Sequence, residues 1–157
     1  MDPLLGAPGI TRGISRDRFK SILRYLHLND NTKMPSPGQP NLDKLYKVRP
    51  LFNKLKECSQ KAYYPHQELA VDEAIVLFKG RSSIKQYMPL KPVKQGYKVW
   101  CICDSRNGYA YDFEVYLGAM GGSPESGLGE KVVQMLCHSI QGRSHHIYTD
   151  NFSPVLL

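Results

Sequence analysis

The sequence predicts an α+β to α/β chain in which N-terminal helices precede a mixed sheet with the element order β-β-β-α-β. Three observations predict it. Two amphipathic helical stripes fall within residues 1–64, alternating and β-branched runs begin after Pro65, and one further helical stripe separates the last strand from the others. The expected organisation is a helical region over 1–64 and a sheet domain over 65–157.

Residues 1–14 carry scattered Gly and Pro and read as irregular. Ser15 is an N-cap, with Asp17 in the first turn where the helix dipole favours an anion. Phe19, Ile22, Leu23 and Leu26 then share one stripe, and the helix should stop near Asn29-Asp30-Asn31. Pro35, Pro37, Gly38 and Pro40 mark a loop. Leu45, Val48, Phe52 and Leu55 form a second stripe interrupted by Pro50, which predicts a kink or two abutting helices. Both helices read as scaffold that packs its apolar face.

Residues 68–78 read as a strand that continues past a bulge, and residues 79–98 as a basic loop that Pro89 and Pro92 keep from being helical. Tyr97–Cys103 is rich in β-branched and aromatic residues, a strand. Asp104-Ser105-Arg106-Asn107-Gly108 is a turn ending in Asn-Gly, and Tyr109–Leu117 alternates as a half-buried strand. Residues 118–129 form a glycine-rich loop. Val132, Val133, Leu136 and Ile140 place a helix over 129–140, and 145–149 is a short strand that ends at Asp150. Three strands, a helix and a strand are how an RNase H-like sheet begins. Such a sheet needs further helices and a fifth strand, so with seven residues after Asp150 an incomplete sheet is expected.

The net charge of +7 is unevenly placed, at +10 over residues 1–100 and −3 over the rest. A basic excess of this kind suits a polyanion such as nucleic acid, although a solvated basic surface carries the same signature. Cys58, Cys101, Cys103 and Cys137 contain no Cys-x-x-Cys pair and make a poor zinc site, so they read as reduced structural cysteines of a nuclear or cytosolic protein. No apolar run approaches the roughly 18–20 residues of a membrane span, and the N-terminus has no secretory character. The sequon at Asn151 reads as chance.

Asp72 and Asp150 stand 78 residues apart, on the first and last predicted strands. Those strands are neighbours in an RNase H-like sheet, which would bring both carboxylates to one edge. Two close carboxylates repel unless a cation lies between them. Mg²⁺ takes one or two carboxylates and keeps waters and phosphate oxygens. A pair of such ions about 4 Å apart activates a water or 3′-hydroxyl and stabilises the leaving oxygen. Asp at a strand end more commonly caps a turn. Asp104 and Asp112 read as turn and strand-surface residues, and His138, His145 and His146 as surface or helix-end residues.

The surrounding residues are more specific. Val71-Asp72-Glu73 is followed by Phe78-Lys79-Gly80-Arg81, Gln86-Tyr87-Met88-Pro89, Lys91-Pro92-Val93-Lys94 and Gly96-Tyr97-Lys98, and later by Tyr148-Thr149-Asp150-Asn151-Phe152. With Leu26–Asn31 and Lys47–Leu51 upstream, this series resembles the DDE transposase domain of the piggyBac family over nearly the whole chain. The resemblance implies a cut-and-paste transposase or a host protein derived from one. It makes Asp72 and Asp150 the first two catalytic, metal-binding aspartates, with Mg²⁺ or Mn²⁺ as cofactor. The third aspartate and a cysteine-rich zinc-binding region would lie further on, so no transposition is expected of this chain alone. It further implies DNA as partner, a homodimer and a nuclear location. Lys79, Arg81, Lys85, Lys91, Lys94 and Lys98 would neutralise phosphates, and Tyr87 would stack on a base, while Tyr97 more readily packs in the core. Glu73 and Asn151 adjoin the aspartates and would orient them, or simply be exposed. A domesticated DNA-binding module without catalysis, and a remnant that does not fold stably, are the alternatives.

Overall fold

A computed structural model describes residues 13–36, 38–39, 42–118 and 127–150. It divides into two compact units, residues 1–51 and 52–157. The loop expected at 118–129 and the residues after Asp150 lie largely outside the described residues, as does Asn151.

In the first unit, helix α1 spans Arg16–Tyr25. Ser15 caps it as expected, its hydroxyl accepting from the Arg18 N–H at 3.3 Å. The helix ends at Tyr25, with Leu26 extended, earlier than the stop predicted near Asn29–Asn31. The polar residues beyond it take other partners. The Asn29 side chain donates to the Tyr46 carbonyl at 2.7 Å. Asp30 accepts from the Thr32 N–H at 3.0 Å and hydroxyl at 2.6 Å, opening a 3₁₀ turn over Asn31–Lys33. The apolar stripe of α1 does not pack as the scaffold reading requires. Phe19, Ile22, Leu23 and Leu26 are each 43–55% exposed, and no residue of α1 is buried. Asp43 and Arg49 form a two-pronged ion pair at 2.7 and 2.9 Å.

Helix α2 spans Arg49–Ala62. The kink predicted at Pro50 is absent because Pro50 is the second residue of the helix, in the first turn where a missing N–H costs nothing. Leu45 and Val48 belong instead to a preceding turn, with the Val48 N–H on the Leu45 carbonyl at 2.8 Å.

The second unit is a mixed sheet with helices. Its strands are β1 Glu68–Leu77, β2 Gln86–Tyr87, β3 Gln95–Asp104, β4 Ala110–Val115 and β5 His146–Thr149. β1 is flanked by β3 on one side and β5 on the other, while β2 and β4 both pair with β3. β1 runs antiparallel to β3 from Leu69↔Asp104 to Leu77↔Gly96, and parallel to β5 from Glu68↔His146 to Val71↔Thr149. The bulge expected in β1 lies elsewhere. The β1–β3 register is unbroken, and the irregularity falls at Ile102/Cys103, opposite β4. The basic segment read as a loop contains β2, and β3 begins at Gln95, two residues before its expected start.

Helix α3, Leu128–Cys137, and the 3₁₀ turn His138–Ile140 cover one face of the sheet. The predicted stripe is all buried: Val132, Val133, Leu136 and Ile140 pack with Leu69, Val71, Trp100, Ile102 and Tyr111. Each such side chain contributes roughly 1.5–3 kcal/mol by leaving water. α2 meets β4 through Phe52, whose ring lies edge-on to Phe113 at 5.8 Å. Lys56 pairs with Glu114 at 2.6 Å and Asp112 at 3.4 Å, and Gln60 donates to Asp112 at 3.0 Å. Asp112 is therefore a buried anchor for α2, where a strand-surface residue was expected.

Asp104 departs furthest from its expected place in an exposed turn. It is fully buried where β3 enters the turn. Its carboxylate accepts from the Tyr63 hydroxyl at 2.8 Å, the His66 N–H at 2.8 Å and the Arg106 N–H at 2.9 Å, and meets the His66 ring at 2.8 Å. The Gly108 N–H closes the turn on the Asp104 carbonyl at 2.8 Å, with Gly108 at φ 72°. Burial alone would push the carboxyl up. The His66 and Arg106 amides and the Tyr63 hydroxyl outweigh it and hold the group well below the usual carboxylate range. Because the folded value is depressed, the associated stability is present above the unfolded value of about 3.8 and is lost as pH falls below it. Urea unfolding of Asp104→Ala should show a loss of about 3 kcal/mol at neutral pH. The wild type should lose stability on acidification below about pH 4 more steeply than the variant.

Candidate functional site

The two predicted aspartates are brought together by strand register. Val71 pairs with Thr149 in the parallel β1–β5 ladder. One residue further along each chain stand Asp72, within β1, and Asp150, just past the end of β5. Both are exposed, and both line one cleft with Val71, Glu73, Trp100 and the start of α3 at Gly129. The cleft has a volume of about 20 Å³, room for about one water and not for a nucleotide.

Strand alternation and the antiparallel register assign the neighbours. Asp72 stands opposite Cys101, on the face away from the core, and Glu73 stands opposite Trp100, on the core face. The Asp72 carboxylate accepts from the Glu73 N–H at 2.7 Å, which fixes its rotamer. Glu73 is 15% exposed and holds the Lys91 ammonium at 2.7 Å. Lys91 is accordingly pushed up, first by the bond to Glu73 and further by the charges of Asp72 and Asp150, which are near enough to act on it. The Lys98 ammonium lies 3.9 Å from the centre of the Trp100 ring. Burial pulls Lys98 down, against the opposing pull of Glu73 and Asp72. The Trp100 N–H is buried with no partner.

Fit to a divalent cation can be judged from these groups. Two carboxylates in register supply the hard oxygen donors that Mg²⁺ or Mn²⁺ takes, leaving its other positions to water. Among the described residues no group of three or more His, Cys, Asp or Glu side chains is placed to hold a metal. The pair therefore fits one loosely held ion.

The six basic residues differ in their surroundings. Lys79, Arg81 and Lys94 are exposed. Lys85 donates to the Gly80 carbonyl at 2.9 Å, Lys91 is engaged by Glu73 and Lys98 by Trp100. Tyr87 is 66% exposed, whereas Tyr97 stacks on Phe78 at 4.8 Å and belongs to packing. Sequence reasoning missed Trp100 and the Lys91–Glu73 pair. A signal was available in the strand alternation, since once Asp72↔Cys101 is set, Glu73 must face Trp100.

Cys101 and Cys103 share the face of Asp72, as their spacing predicts, and all four cysteines are free. The Cys101 thiol is pushed up, first by its hydrogen bond with Cys103 and then by burial. That same bond lowers Cys103. Among the histidines, His145 bonds the His66 carbonyl at 3.0 Å and lies outside the cleft lining.

Comparison with known proteins returns a consistent family. The model of the family described as Transposase IS4 matches residues 1–156. Human piggyBac transposable element-derived protein 3 is 30% identical over 154 residues, which cover 94% of this chain and 25% of that protein. Human piggyBac transposable element-derived protein 2 is 33% identical over 147 residues, covering 90% and 24%. A cryo-EM structure of a piggyBac transposase synaptic complex with hairpin DNA superposes with a TM-score of 0.78 at 29% identity, over 93% of this chain and 30% of the other. The chain thus spans about a quarter of the length of the curated relatives it matches.

The β1–β3 register on which Asp72 depends runs through a tight approach at Gly96. An added Cβ there would strike the Val76 carbonyl, which is backbone and cannot rotate away. Gly96→Ala should cost about 2 kcal/mol in chemical denaturation, beyond the usual effect of a strand substitution.

Proposed function

Since the chain belongs to the Transposase IS4 family and is a transposase-derived domain of the piggyBac kind, we propose that it contributes the first two carboxylates, Asp72 and Asp150, of a metal-dependent DNA cleavage and strand-transfer site on an RNase H-like sheet. The observation that carries the reading is the β1–β5 register, in which Val71 meets Thr149 and the next residue after each is an aspartate, both lining one cleft. The strand order supports the RNase H-like reading. Three long antiparallel strands, β1, β3 and β4, are followed by a helix and then a strand parallel to the first.

In this reading Asp72 and Asp150 hold Mg²⁺ or Mn²⁺, with the Asp72 rotamer fixed by the Glu73 N–H. The bound cation supplies a more acidic water or 3′-hydroxyl and charge stabilisation at the leaving oxygen. Lys79, Arg81 and Lys94 contact phosphates and hold the DNA in place without reading its sequence. Tyr87 offers an exposed ring to a base. Full catalysis is proposed for a protein that also carries the third carboxylate, because two ligands leave the ion poorly oriented and small misplacements cost orders of magnitude in rate. A homodimer and a nuclear location accompany this proposal as what membership of a DNA-transposase family implies.

A second reading, a DNA-holding module without catalysis, draws support from the lack of any three-ligand group among the described residues. Fluorescence anisotropy with duplex DNA addresses both. Binding should weaken steeply with salt, and Lys79→Gln, Arg81→Gln and Lys94→Gln together should reduce the slope of log K against log[salt] by about 3. Salt-insensitive binding would refute both readings. Asp72→Ala and Asp150→Ala should leave binding intact while abolishing Mn²⁺ binding by the chain. Intact Mn²⁺ binding in both variants would leave only the second.

A further inference from the structure

A cation is fastened to one wall residue of the cleft that Asp72 and Asp150 line: Lys91, from the segment between β2 and β3, pairs with Glu73 at 2.7 Å. Glu73 is the most enclosed carboxylate of the three acidic residues lining the cleft, and its side chain is 15% exposed against 46% for Lys91. An ion pair shielded on one side is held more firmly than one in open solvent. The same ammonium lies within the fields of Asp72 and Asp150.

We propose that Lys91 is a built-in counter-ion of the Asp72–Asp150 pair, tethered by Glu73, and that its charge competes with the divalent cation for the site. The inference rests on the metal-binding role proposed above and adds a regulatory residue to it. Without the cation, three neighbouring carboxylates on β1 and β5 would repel one another, and Lys91 offsets that repulsion. With the cation present, the ammonium and the metal repel in a partly enclosed space where screening is incomplete. Lys91 therefore weakens metal binding by the free protein. An approaching phosphate offers the ammonium another anion, so DNA and metal should bind cooperatively.

The test is Mn²⁺ affinity, read by electron paramagnetic resonance of free Mn²⁺ during titration of the chain. Lys91→Met and Lys91→Gln should each bind Mn²⁺ about five- to tenfold more tightly than the wild type. Lys91→Arg keeps the charge and should stay within about twofold. Lys47→Met removes an exposed charge of the first unit and controls for net charge. Lys91 is half-exposed, so its replacements should fold, and circular dichroism verifies this. Unchanged or weaker Mn²⁺ binding by Lys91→Met and Lys91→Gln would overturn the proposal, as would an equal gain in Lys47→Met. If neither the wild type nor any variant binds Mn²⁺, the metal site itself is refuted and this inference falls with it. Binding that is abolished by Asp72→Ala yet indifferent to Lys91 refutes the counter-ion alone.

Discussion

Everything in the second unit is referred to the hydrogen-bond ladder of one strand. β1 is bonded along both edges, antiparallel to β3 over nine residue pairs and parallel to β5 over four. A strand with two partners cannot slip against one without breaking the other. Slippage by a single residue would carry Asp72 to the core face and Val71 to the solvent face. The position of the first aspartate is thus not a property of its own side chain. It is set by Leu69 and Val71, which are buried beneath α3 and admit only one phase of the pleat. The second aspartate inherits its place in the same way, through Ile147 packed against that core.

How much of this was legible beforehand depended on whether the deciding contact was local. The stripe Val132, Val133, Leu136 and Ile140 foretold α3 because a helix that buries one face writes its period into the chain. Ser15 foretold the start of α1 because its partner is three residues away. The end of α1 was misjudged because Asn29 is committed to a carbonyl 17 residues on, which no local pattern encodes. β2 has only two residues and exists through its pairing with Gln95 and Gly96. Asp104 looked like an ordinary turn aspartate, and its burial follows from donors 38 and 41 residues earlier. Asp72 and Asp150 were singled out by the motif series around them. The spacing of the two residues carries no such information until the parallel ladder is known.

Charge was legible as a sum and not as an arrangement. The stretch from Lys79 to Lys98 reads as one uniform basic loop. In the fold it separates into exposed cations, a lysine spent on a neighbouring backbone carbonyl and two lysines engaged by Glu73 and by the Trp100 ring. The distinction matters for any polyanion that approaches. Charges already compensated at short range add little to the field at a distance, whereas Lys79, Arg81 and Lys94 remain at the surface.

Trp100 carries one more consequence. It is the chain's sole indole, and it forms part of the wall beside Asp72 and Asp150 with a lysine seated on its ring. Ultraviolet emission selectively excited from tryptophan therefore originates at that wall and nowhere else in the polypeptide. A paramagnetic ion or a nucleobase arriving there would quench or shift the light of the whole molecule. The protein is in effect labelled at its own cleft, with no dye attached.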